Sequence, residues 1–194
     1  MRAPRIDIAA EQAEEAAFFS HLRHAAFESH EQSLRTLATL DERLRAQLDG
    51  VVLAGSTGWE VTAPYLGSKE PREGFVAAFV ALASPDEGPW RELQDALPAV
   101  KESRGVRTGL RLARGATVLG RLRSLGRADD AVSRSFALDA LAFRGEKDAL
   151  EAHDEIGALL GGDSPLALRN ALAVAGRSGE RKLEPSVRRQ LEAK

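Results

Sequence analysis

The chain has 194 residues, of which 43% are hydrophobic and only 10 aromatic (7 Phe, 2 Trp, 1 Tyr), a composition ample for a core and weighted towards Ala and Leu, which suit close helix packing. It contains no cysteine, which excludes disulfides, thiolate metal sites and cysteine nucleophiles. Its net charge of −2 hides an asymmetry: residues 1–50 and 51–100 are acidic, whereas residues 101–127 carry eight basic side chains against Glu102 alone.

The start, Met1-Arg2-Ala3-Pro4-Arg5, leads through Ile8 to Glu11, so no apolar segment of signal-peptide length follows it. Nowhere does an uncharged apolar run approach the roughly 20 residues of a membrane-spanning helix. The expected setting is cytoplasmic.

A first helix is predicted over residues 11–29, with Ala13, Ala16, Ala17, Leu22, Ala25 and Ala26 at helical spacing. A second follows, capped by Ser33, carrying the stripe Leu34, Leu37, Leu40, Leu44, Leu48 and ending at Gly50 as a left-handed cap. Residues 51–66 read as a third helical stretch, interrupted by Gly55 and Gly58 and limited by Pro64.

Beyond residue 70 a period of 31 residues brings Phe79, Leu110, Leu141 and Leu172 into register. One turn earlier stand Phe75, Val106, Ala137 and Leu168; two residues later stand Ala81, Leu112, Phe143 and Val174. The residue before each anchor is small (Ala78, Gly109, Ala140, Ala171), as close helix stacking requires. Second helices use Leu93 and Leu97, then Leu119 and Leu122, then Leu150, Ile156 and Leu159, and finally Leu183, Val187 and Leu191. Breakers lie at Gly88-Pro89, Gly115, Gly126, Gly161-Gly162 and Gly179, with Gly145 and Gly176 after the two later anchors. Pro71, Pro89 and Pro165 suit first turns, the last behind a cap at Asp163 or Ser164.

Helix pairs of this size cannot bury their apolar faces alone and must stack. The pattern lacks the Thr-Pro-Leu-His turn of ankyrin repeats and the aromatic positions of tetratricopeptide repeats. The expected fold is all-α: a short HEAT-like α-solenoid of about four helix pairs (71–103, 104–127, 128–162, 163–194) behind an N-terminal helical cap over residues 1–70.

The stretches Glu11-Gln12-Ala13-Glu14-Glu15-Ala16-Ala17-Phe18, Leu40-Asp41-Glu42-Arg43-Leu44, Leu48-Asp49-Gly50, Ala54-Gly55 and Gly58-Trp59-Glu60 resemble an uncharacterised group of proteobacterial HEAT-repeat proteins, abundant in myxobacteria. The likeness spans residues 11–82. Members of that group tend to be encoded near type VI secretion and toxin-delivery genes, so the resemblance implies an accessory role as adaptor, effector partner or immunity protein, and it brings no catalytic motif.

Catalytic and ligand-binding patterns are weak. His21, His24 and His30 cluster, and Glu28 could complete a metal set with His21 and His24, but a solvated charged face is the favoured reading. His153 has no evident partner in sequence, and adjacent acids such as Glu14-Glu15, Asp129-Asp130 and Asp154-Glu155 point in different directions on a helix. No phosphate loop or nucleophile elbow occurs, so neither an enzyme nor a cofactor is expected.

The basic segment is the candidate contact surface. Arg107, Arg111 and Arg114 follow steps of three and four that place them on one helix face, and Arg121 and Arg123 extend the charge into the paired helix. A solubilising surface competes with this assignment. As partner an acidic protein surface is preferred, with nucleic-acid binding through the arginine cluster 104–127 as the alternative, because no aromatic residues interleave with the arginines. Trp59 and Trp90 are read as core rather than as binding hot spots.

Overall fold

A computed structural model of the chain describes residues 5–29, 33–100 and 103–192. Met1 to Pro4, the His30 ring, the charges of Lys101 and Glu102, and the Leu191 side chain fall outside the described residues. Among those residues the protein is all-helical, with twelve α-helices, three short 3-10 turns and no strand. Two compact units meet in sequence at Gly115 and Ala116.

In the N-terminal unit, α1 (Ile6–Glu28) and α2 (Leu34–Leu53) form an antiparallel hairpin. Arg23 reaches Asp41 and Gln47 reaches Glu15, so rising numbers on one helix meet falling numbers on the other. Ala9, Ala13, Ala16 and Ala17 are buried along α1, a stripe of small side chains that lets neighbouring helices approach. Helix α1 begins at Ile6, five residues before the predicted start. The Ser33 hydroxyl accepts from the Thr36 N–H at 3.1 Å and caps α2 as expected.

Three predictions for this region are corrected. Helix α2 does not stop at Gly50 but runs on to Leu53, and Gly50 faces the Gln12 carboxamide where α1 and α2 cross. The positive φ falls instead at Gly55 (61°), which starts α3 (Ser56–Thr62). The leucine stripe is buried only at Leu44 and Leu48; Leu34, the first residue of α2 and so at the connected end of the hairpin, is 85% exposed. After α3 the chain makes a 3-10 turn at Ala63–Gly67 containing Pro64.

Helix α4 (Pro71–Ala83), opened by Pro71 in its first turn, is the centre of this unit: every residue from Gly74 to Leu82 is buried. A helix apolar all round has to be surrounded, and α1, α3, α5 (Glu87–Ala96) and α6 (Ser103–Leu112) pack against it. Leu93 and Leu97 are fully buried, each worth about 1.5–3 kcal/mol in apolar burial. Helix α6 lies parallel to α4, with Gly105 seated on the Pro71 carbonyl and Gly109 on that of Phe75. The small residues at 78 and 109 do face each other, since a Cβ on Gly109 would fall 2.9 Å from that of Ala78.

In the C-terminal unit, α8 (Ala131–Phe143) takes the central place, packed by α7 (Val118–Leu125), α9 (Lys147–Leu150) and α11 (Pro165–Ser178). Asp130 caps α8 through the Ser133 N–H (2.7 Å), and Ser164 rather than Asp163 caps α11 through the Ala167 N–H (3.3 Å). Helix α10 (His153–Leu160) buries Ile156, Leu159 and Leu160, and α12 (Glu184–Glu192) follows a 3-10 turn at Arg181–Leu183. The paired helix expected after α8 is thus split in two, broken at Glu151-Ala152.

The anchors are unequal. Phe79, Leu110 and Leu141 are buried, but Leu172 and Leu168 are half-buried and Phe143 is 46% exposed, its ring covered on one side by the Arg177 guanidinium. Gly176 lies inside α11, which ends at Gly179 in the left-handed conformation (φ 62°).

Candidate functional site

A concavity lies within the N-terminal unit, where α1, α2, α4 and α6 converge. Phe75 and Phe79, one turn apart on α4 with ring centroids 6.2 Å apart, form its floor together with Leu44 and Leu48 on α2 and Leu112 on α6. The glycines at 105 and 109 set α6 directly on the α4 backbone, which brings Arg104, Thr108 and Leu112 to the edge of that floor. Two chambers of about 450 and 310 Å³ result, and they share Arg23, Leu44, Phe75 and Leu112.

The first chamber is rimmed by Arg23, Arg72 and Arg104 with His21 and His24, against Glu70 as the carboxylate in its lining. The second carries Arg23, Arg45 and Arg114 against Asp41, Glu42 and Asp49. Several rim charges are paired: Arg23 with Asp41, Arg104 with His24 and with Glu28 at 3.7 Å, Arg72 with Glu70 at 3.9 Å, and Arg45 with Asp49 at 3.6 Å. All are solvent-exposed or nearly so, a class of ion pair worth about 0–1 kcal/mol, so exchanging one for a charge on an incoming molecule costs little.

The five arginines singled out from sequence differ in their surroundings. Arg107 and Arg111 lie half-buried on α6, outside the lining of either chamber. Arg114 is not on their helix face, because α6 ends at Leu112 and the backbone turns at Gly115 (φ 149°); it is exposed and lines the second chamber. Arg121 is only 6% exposed, so burial removes it from the proposed contact surface. Arg123 is held by Glu146 at 2.7 Å and Asp148 at 3.3 Å, its charge balanced inside the C-terminal unit. Arg23 and Arg72, absent from the sequence-derived set, occupy the groove rim instead.

Other candidates resolve into structural roles. His24 lies 3.1 Å from Glu28 and against Arg104, while His21 turns to the chamber, and no group of three ligand-type side chains meets among the described residues. His153 does have a partner, Glu180 at 3.7 Å, which its distance along the chain hid from the sequence reading. Trp59 and Trp90 are buried, in keeping with core packing. Tyr65 has its phenol pushed above the usual range, first by burial and then by the carboxylates of Glu73 and Glu14.

In the C-terminal unit, a cavity of about 370 Å³ is lined mainly by Ala131, Ala158, Leu159 and Ala167, with Arg134 and Glu155 at its edge. Arg134 bonds to Glu155 (3.0 Å) and to the Ala128 and Asp129 carbonyls, so it ties α8 to the preceding loop and to α10. Between α8 and α11 a polar ladder is buried: Asn170 Nδ2 donates to Ser135 Oγ at 3.1 Å, and Arg177 Nη1 donates to the fully buried Asp139 at 2.9 Å. These groups pin two helices in register.

Among the described residues, no helix is long and apolar enough to cross a membrane. No protein-family model, curated protein or solved structure matches the chain.

Proposed function

We propose that the chain is a protein-binding scaffold whose helix pairs stack as HEAT-like repeats, and that the groove between α1, α2, α4 and α6 is its contact surface. The observation that carries this reading is the groove itself: two adjoining chambers over the buried Phe75, Phe79, Leu44 and Leu48, rimmed by charged side chains whose ion pairs are exposed and weakly held. A partner docked there covers the half-buried Leu112 and exchanges rim pairs at little cost. The reading assigns no reaction and no cofactor to the chain. Its sequence likeness to secretion-associated HEAT proteins supports a cytoplasmic adaptor, effector partner or immunity protein of a bacterial toxin-delivery system.

Nucleic-acid binding is the less favoured alternative, since phosphate tracking needs several accessible cations on one path. Arg121 is buried and Arg123 is engaged by two carboxylates, which leaves the segment 104–127 short of such a path.

Co-purification from the native host followed by mass spectrometry tests the scaffold reading, and a stoichiometric protein partner is the expected result. Isolation as a monomer without a partner, even with the genomic neighbours expressed, removes it. Titration with duplex DNA at two salt concentrations tests the alternative: tight, steeply salt-dependent binding would put nucleic acid in the partner's place.

A further inference from the structure

We draw no further inference here: the strongest candidate, the apolar surface patch at the connected end of the α1–α2 hairpin that carries the exposed Phe27 and Leu34, is a helix face for which nothing in the structure shows what covers it.

Discussion

Gly109 of α6 lies so close to Phe75 of α4 that a Cβ on the glycine would fall 2.5 Å from the Phe75 carbonyl oxygen. The obstacle is main chain, which cannot rotate aside as a flexible side chain does. Gly109→Ala is therefore expected to force the two helices apart and to destabilise the N-terminal unit by about 1–3 kcal/mol. Gly105→Ala, whose methyl would meet the Pro71 carbonyl, should cost at least as much. Urea unfolding followed by tryptophan fluorescence reads this unit alone, because Trp59 and Trp90 both lie in it. Gly120→Ala on α7 has nothing within 4 Å of the added methyl, and is expected to stabilise by about 0.4–1 kcal/mol by far-UV circular dichroism. Equal midpoints for Gly109→Ala and the wild type would refute the close crossing.

In the C-terminal unit, the Asp139 carboxylate is fully buried and receives the Arg177 guanidinium, whose other face covers the Phe143 ring at 5.6 Å. Arg177→Met keeps the aliphatic stem and removes the charge-assisted hydrogen bond, so a loss of about 1.5–3 kcal/mol is expected. Arg177→Lys should recover only part of it, since an ammonium lacks the planar group that bonds and stacks at once. Thermal melts by circular dichroism measure both, and a methionine variant as stable as the wild type would mean that the pair contributes nothing.

Tyr65 is the chain's one tyrosine, so absorbance at 295 nm reports its ionisation without overlap from another phenol. Burial, with Glu73 and Glu14 adding to it, disfavours the phenolate, and the midpoint should lie above the usual value of about 10. The sign for stability follows. The folded pKa exceeds the unfolded one, so the contribution is complete below the unfolded value and is lost as pH rises through the folded one. Glu73→Gln is expected to bring the midpoint part of the way down, and an unmoved midpoint would remove Glu73 from the causes and leave burial and Glu14.

What could be read in advance was local. The Ser33 and Ser164 caps were legible because a cap is decided within four residues, and the apolar spacing around Phe75, Phe79, Leu110 and Leu141 identified buried helix faces for the same reason. Glycine was ambiguous. At Gly179 it ends a helix with a positive φ, whereas at Gly50 and Gly109 it stays helical to admit a neighbour, and its own flanks do not say which.

The candidate site was the least legible part. Arg107, Arg111, Arg114, Arg121 and Arg123 are neighbours along the chain, yet the termination of α6 at Leu112, the burial of Arg121 and the pairing of Arg123 give them unlike surroundings. Arg23, Arg72 and Arg104 come from three separate helices and meet only when α1, α4 and α6 pack.

Sequence alone determined the all-helical class, the apolar faces around Phe79, Leu110 and Leu141 and several helix starts, because hydrophobic period and capping act over one or two turns. Tertiary structure alone decided which charges remain at the surface and which side chains share the groove, since both depend on residues dozens of positions apart being brought to within a few ångströms.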